Sequence, residues 1–219
     1  VSSTAPASPP ATLLDEDAIR SCVERVAAEI AIEHPDGVVL VGVLKGALIF
    51  LADLVRALPD IDVAVDFIAI SRYAPDSGRV RILQDVALDL NGRDVVLVED
   101  LVDTGLTIAY LLDYLRAREP RTLDVCTLLD RQARRIVPLE VRYVGAVIPD
   151  VFVLGYGLHR ADLYRNVPRV VEADPRTLQQ DPGAYLDALY THRARDAPPA
   201  PGGREGPGAR VAGTVRRRP

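Results

Sequence analysis

Two runs of the chain, VVLVGVLKGALIF (38–50) and VVLVEDLVDTGLTIAYLLDYL (95–115), share one pattern: an unbroken apolar segment, a polar turn, then an apolar-periodic segment. A strand that is apolar at every position must be covered on both faces, which is the mark of a parallel sheet layered between helices. The segments 63–70 (VAVDFIAI), 123–130 (LDVCTLLD), 141–148 (VRYVGAVI) and 151–154 (VFVL) read as further strands. Ile19, Cys22, Val23, Val26, Ala27 and Ile30 recur at helical spacing, and a helix from about Ala47 to Leu58 is stopped by Pro59. Residues 72–92, with Pro75, Ser77 and Gly78, read as a polar stretch. The alternation predicts an α/β fold with a mainly parallel central sheet flanked by helices. Ligands of such sheets bind beyond the carboxyl ends of the strands. The turns at Lys45, at 99–107 and at Gly155 all follow strand ends and are expected to converge.

The 219 residues suffice for one α/β domain, expected over 13–194. Residues 1–12 and 195–219, rich in Pro, Gly and Ala without apolar periodicity, read as flexible tails. The final RRRP reads as solvated charge. A net charge of −5 with mixed signs, and no basic stripe in the core, argues against a nucleic-acid partner. No apolar run approaches the ~20 residues of a membrane span. The first residues lack the basic start and apolar core of a signal peptide. They begin on Val in a chain without Met, as a literally translated alternative start codon would give. Cys22 and Cys126 have neither metal nor redox spacing, so a reduced, cytoplasmic setting is expected. Among 26 basic side chains Lys45 is the single lysine, and it stands at a strand end.

The chemistry concentrates in EDLVDTGLT (99–107). The turn Thr104–Gly105–Leu106–Thr107 opens a helix. Free N–H groups there, two hydroxyls, and a glycine allowing close approach make a phosphate cradle. The alternative is a plain N-cap in which Asp103 or Thr104 satisfies those N–H groups. Glu99 and Asp100 cannot bind phosphate, but they suit ribose hydroxyls or a hydrated Mg2+. A sugar bearing a 5-phosphate satisfies the whole loop.

On these residues the chain resembles the type I phosphoribosyltransferases. EDLVDTGLT looks like their phosphoribosyl pyrophosphate signature. LKGA (44–47), DFIAISRY (66–73) with SGRVRILQD (77–85), and GYGL with YRN (155–166) resemble the pyrophosphate loop, mobile loop and C-terminal active-site segment of the hypoxanthine-guanine branch. The likeness spans about residues 13–170. It implies that fold, with a small hood, and transfer of the phosphoribosyl group to N9 of a purine with Mg2+ as cofactor. By position, it places Glu99 and Asp100 on the ribose and metal, and Asp103 as proton acceptor. Thr104, Gly105, Leu106 and Thr107 hold the 5-phosphate, and Lys45, Gly46 and Arg165 bind pyrophosphate. Arg72 and Tyr73 close over the site, Phe152 stacks on the base and Val153 contacts its edge. Phe152 is equally readable as core. A homodimer or homotetramer is implied.

Three positions depart from the family pattern. Counting back from Tyr143-Val144-Gly145, the lysine that meets the 6-oxo group of the base is Glu140, with Arg142 as a substitute donor. The metal-binding aspartate of GYGLD is His159, for which Asp162 would compensate one helical turn later if this segment is helical; a surface histidine is the bland reading. The Ser-Tyr pair of the mobile loop is Arg72-Tyr73. These changes leave two alternatives beside purine salvage: an acceptor such as a 7-deazapurine in nucleoside biosynthesis, or a regulator that senses phosphoribosyl pyrophosphate.

Overall fold

The structure, a computed structural model, describes residues 9–58, 60–71 and 81–190. Strand β1 (Thr12–Leu14) leads into helix α1 (Glu16–Glu33), which is started by Asp15, whose carboxylate accepts the N–H of Ala18 at 2.8 Å. Strand β2 (Val38–Leu44), helix α2 (Leu48–Arg56) and strand β3 (Val63–Ser71) follow. A short β4 (Arg81–Gln84) precedes β5 (Asp94–Val102), helix α3 (Leu106–Arg116) and β6 (Thr122–Asp130). A 3-10 turn at Gln132–Arg134 leads to β7 (Tyr143–Val147), β8 (Phe152–Leu154), β9 (Val170–Ala173) and α4 (Pro175–Gln180).

Six strands form the main sheet in the order β4-β3-β2-β5-β6-β7, parallel throughout except for β4 at one edge. The expected α/β architecture is therefore present. Side chains alternate across the pleat. Val38 and Leu40 of β2, with Val96 and Val98 of β5, pack among the buried residues of α1 and α2. Val39, Val41 and Val43, with Val95 and Leu97, pack against Ile108, Leu111 and Leu115 of α3. These two strands carry apolar residues at both parities because both faces are covered.

A second, antiparallel sheet, β1-β9-β8, forms the hood with its own core of Leu154, Tyr164, Val167, Val171 and Tyr185. The N–H of Glu172 donates to the carbonyl of Ala11 at 2.8 Å, so residues at the edge of the expected 1–12 tail are tied into the hood. Strands β1, β4 and β9 and helix α4 have no counterpart in the sequence reading: each is too short to show a period. Strand β5, by contrast, runs on through Glu99 and Asp100 to Val102. Among the described residues no helix is long and apolar enough to cross a membrane.

Candidate active site

The chain leaves β2 through α2 to β3 on one side, and later places β5 on the other side of β2. The strand order thus reverses between β2 and β5, and a crevice opens beyond their carboxyl ends. The turn after β2 carries Lys45 and Gly46, joined to the strand by a cis Leu44–Lys45 peptide. The turn after β5 carries Asp103 to Thr107. A methyl group on Gly46 would lie 1.9 Å from Oδ2 of Asp100, and one on Gly157 would lie 2.3 Å from the carbonyl oxygen of Gly46. The turn at Gly46 therefore touches both the Asp100 side chain near the end of β5 and the backbone of the Gly155–Leu158 turn.

Glu99 and Asp100 are both buried, and the N–H of Leu101 donates to Oδ1 of Asp100 at 2.8 Å. Helix α3 begins beside them. Its N-cap is Gly105, at φ 85°, with no side-chain cap and no acid in the first turn. A single long contact, from Leu106 N–H to Thr104 Oγ1 at 3.4 Å, touches this end. Of the capping alternative, only this long Thr104 contact forms, and Asp103 takes no part in it. An uncapped helix start with a left-handed glycine and two threonines presents free N–H groups and the positive end of the helix dipole.

Asp103 stands at the mouth of the same turn. Its Oδ2 accepts from Arg131 Nη1 at 3.3 Å and lies 4.0 Å from Arg134 Nη1, while its buried Oδ1 has no hydrogen-bond partner. Arg131 is itself buried, follows the last residue of β6, and has a buried Nε without a partner. Burial pulls its pKa down, which Asp103 opposes. Sequence reasoning passed over Arg131. The available signal was its place immediately after the predicted strand 123–130, at a carboxyl end.

The hood contributes two tight hairpins. Gly155 and Leu158 pair around Tyr156 and Gly157, and Arg160 and Leu163 pair around Ala161 and Asp162, all four turn residues having positive φ. Such two-residue turns match the twist of the strands they join. The segment is therefore not helical, and Asp162 does not sit one helical turn from His159; instead its N–H donates to His159 Nδ1 at 3.0 Å. Asp162 Oδ1 accepts from Arg165 Nη2 at 2.9 Å and lies 3.7 Å from Lys45 Nζ. Arg165, then Lys45, hold the Asp162 carboxyl below its ordinary range. The other arm of Arg165 donates to the carbonyl of Gly157 at 2.7 Å. Two cations expected to read pyrophosphate are thus held together by one carboxylate.

The expected base contacts divide. Phe152 is partly buried against the hood core and Val153 is buried among residues packed with α1 and α2. Arg142 is not brought to the crevice. Arg142 pairs with Glu33 at the end of α1 and lies 3.7 Å from Asp124 near the start of β6. Burial raises the pKa of Asp124, and Glu140 is close enough to add to that rise. Arg142 thus belongs to the amino end of the sheet, where parallel β6 and β7 start, whereas Leu139, next to Glu140, lies 3.6 Å from where a Cβ on Gly105 would stand. Arg72 and Tyr73 lie outside the described residues.

Among the described residues no group of three or more His, Cys, Asp or Glu side chains is arranged to hold a metal ion. The oxygen donors of Glu99 and Asp100 nevertheless fit Mg2+, which is usually held by one or two carboxylates and completed by water and substrate phosphates. A groove of about 880 Å3 between α1 and α2, lined in part by Ile19, Val23, Ala27, Leu58 and Tyr156, contains none of these carboxylates.

The pattern of a family described as phosphoribosyl transferase domain matches residues 12–160. The chain is 42% identical over 178 residues to a hypoxanthine-guanine phosphoribosyltransferase of Mycobacterium avium, covering 77% of this chain and 87% of that one. It is 42% identical over 163 residues to one of Aquifex aeolicus, covering 72% and 91%. Its structure resembles a hypoxanthine phosphoribosyltransferase from Trypanosoma cruzi in complex with the product IMP, with a TM-score of 0.71 and 40% identity over 75% of this chain and 94% of that one.

Proposed function

The chain belongs to the type I phosphoribosyltransferases, in the hypoxanthine-guanine family, and from that premise we propose how its residues perform purine salvage. It is an enzyme that uses phosphoribosyl pyrophosphate as donor and a 6-oxopurine as acceptor. The observation that carries the assignment of roles is the uncapped start of α3 beside the buried Asp100 and the Gly46 turn.

The N–H groups of 104–107 and the hydroxyls of Thr104 and Thr107 take the 5-phosphate. Glu99 and Asp100 take the ribose hydroxyls and would hold Mg2+, which supplies charge neutralisation at the pyrophosphate. The bond between C1 and the pyrophosphate oxygen breaks, pyrophosphate leaves into the Lys45, Gly46 and Arg165 group, and N9 bonds to C1. Asp103 accepts the proton that the base gives up, through the carboxylate oxygen left without a partner. Arg131, buried beside it with an unpartnered Nε, offers the donor for the 6-oxo group that Glu140 could not. Phe152 stacks on the base and Val153 offers its backbone to the edge. Arg72 and Tyr73 cover the reacting centre and exclude water. The enzyme works in the cytoplasm as a dimer or tetramer.

The alternative of a 7-deazapurine acceptor rested on Glu140 and His159. In the proposed site Arg131 supplies a donor at the carboxyl end of β6, which answers the electrostatic reason for an unusual base. The test is incubation with phosphoribosyl pyrophosphate and Mg2+, one base at a time, among hypoxanthine, guanine, xanthine, adenine and several 7-deazapurines, with products read by mass spectrometry. Nucleotide from hypoxanthine or guanine is expected. Turnover confined to a deazapurine would sink the salvage assignment.

A further inference from the structure

The segment after β6 does more than connect strands. Arg135 is only 16% exposed and reaches in three directions. Its Nη2 forms an ion pair with Oδ1 of Asp130, a side chain 4% exposed at the end of β6. Its Nε donates to the main-chain carbonyl of Asp103 at 3.1 Å. Its Cδ lies 3.0 Å from where a Cβ on Gly105 would stand. Next to it, the N–H groups of Ile136 and Val137 donate to the carbonyl of Thr104 at 3.0 and 3.3 Å.

Both carbonyls of the turn, those of 103 and 104, are thus tied to residues 135–137. A trans peptide is planar, with its N–H directed opposite to its C=O. Holding those two carbonyls back aims the N–H groups of Thr104 and Gly105 away from 135–137, into the crevice. The same three hydrogen bonds fix the backbone from which the Asp103 carboxylate projects. Asp130 neutralises most of the guanidinium charge, so the effect of Arg135 is one of geometry.

We propose that Arg135 is a positioning residue for the donor: by clamping the Asp103–Gly105 turn to the end of β6, it keeps the phosphate-binding N–H groups aimed at the 5-phosphate. This rests on the phosphoribosyl pyrophosphate reading of the site. A lysine would reach Asp130 with one ammonium but lacks the fork that serves a carboxylate and a carbonyl at once.

The variants are Arg135→Lys and Arg135→Met, compared with the wild-type chain for KM of donor, KM of hypoxanthine, and Tm. Both are expected to raise the donor KM about tenfold, the equivalent of one lost hydrogen bond of roughly 1.4 kcal/mol, while the hypoxanthine KM moves less than about twofold. Equal rises in both KM values, a change in Tm alone, or an Arg135→Lys enzyme indistinguishable from wild type would overturn the proposal. Should Arg135→Met fail to fold, Arg135→Lys decides. Calorimetric titration with inorganic phosphate separates the two claims. A wild type that binds phosphate but never turns over the donor defeats the functional reading, and weaker phosphate binding by Arg135→Lys still supports the clamp.

Discussion

The Cα of Gly46 is packed against the carboxylate of Asp100 so closely that one methyl group would fall 1.9 Å from Oδ2. The contact joins the turn after β2 to the end of β5. Asp100 is 6% exposed and is held by the N–H of Leu101. Replacing Gly46 by Ala must push one of the two turns outward. Overpacking of this kind costs about 1–3 kcal/mol, and the cost falls on the site. Gly46→Ala is expected to keep its fold by circular dichroism and to bind phosphoribosyl pyrophosphate at least about tenfold more weakly by calorimetry.

In the proposed mechanism Asp103 and Arg131 divide the work on the acceptor, and their variants should then fail differently. Asp103→Asn removes a proton acceptor without changing shape, so kcat should fall about 10²- to 10⁴-fold with donor affinity little changed. Arg131→Leu removes a buried donor, and the hypoxanthine KM should rise about tenfold to a hundredfold. Arg131→Lys should recover part of that loss. Steady-state kinetics with each substrate varied in turn distinguishes the three patterns, and an Arg131→Leu enzyme with a normal hypoxanthine KM would remove Arg131 from the base site.

Asp162 forms an ion pair with Arg165 and lies 3.7 Å from Lys45. In the proposed mechanism pyrophosphate competes with it for both cations. All of this is solvent-exposed on the Lys45 side, so the competition is modest. Asp162→Asn is therefore expected to tighten donor binding by about twofold to fivefold at low salt, with the gain shrinking as salt is added. Weaker binding of donor and Mg2+ together would instead make Asp162 a metal ligand.

Asp94 opens β5 at the end of the sheet remote from the crevice. Arg121 first, then Thr122 and His34, hold its carboxyl well below the ordinary carboxylate range against the opposing effect of burial. A depressed folded-state pKa contributes stability that is present above the ordinary value of 3.8 and is lost as pH falls through the folded-state value. Because Arg121 is 58% exposed, the contribution is discounted to about 1–2 kcal/mol. Asp94→Asn should lower Tm at pH 7 and show a shallower loss of stability below about pH 4 than wild type. Thermal melts across pH 2–7, with activity per folded molecule unchanged, check both statements.

Much of this fold is written locally. The apolar runs at 38–43 and 95–98 could be nothing but doubly covered strands, and the turns behind them carry the site because parallel strands share a carboxyl end. What escaped was governed by contacts distant in sequence. Strand β9 is four residues long and exists because β1 and β8 flank it. Residues 131–142 lack any period that fixes register, so counting back from Tyr143 does not by itself place a side chain in the site. The strand-end rule that found Lys45 and Asp103 would have found Arg131. Asp162 was placed by helical spacing, which fails where Ala161, Asp162 and Tyr164 adopt positive φ.

The neighbourhood of β2 and β5 also has a timing. Their turns meet in space, yet about half a hundred residues separate Gly46 from Asp103, and β3 and β4 must be passed before β5 can slide in beside β2. Parallel pairing of this separation forms late and slowly, because loop closure precedes its reward. A chain made only as far as β4 lacks the turn after β5 to which the proposed mechanism assigns the 5-phosphate, and its β1 still lacks β9 to pair with. Donor binding therefore reports on the finished sheet. In a cell rich in phosphoribosyl pyrophosphate, the substrate selectively stabilises chains whose central strand has already inserted, and it gives no shelter to those that stopped short.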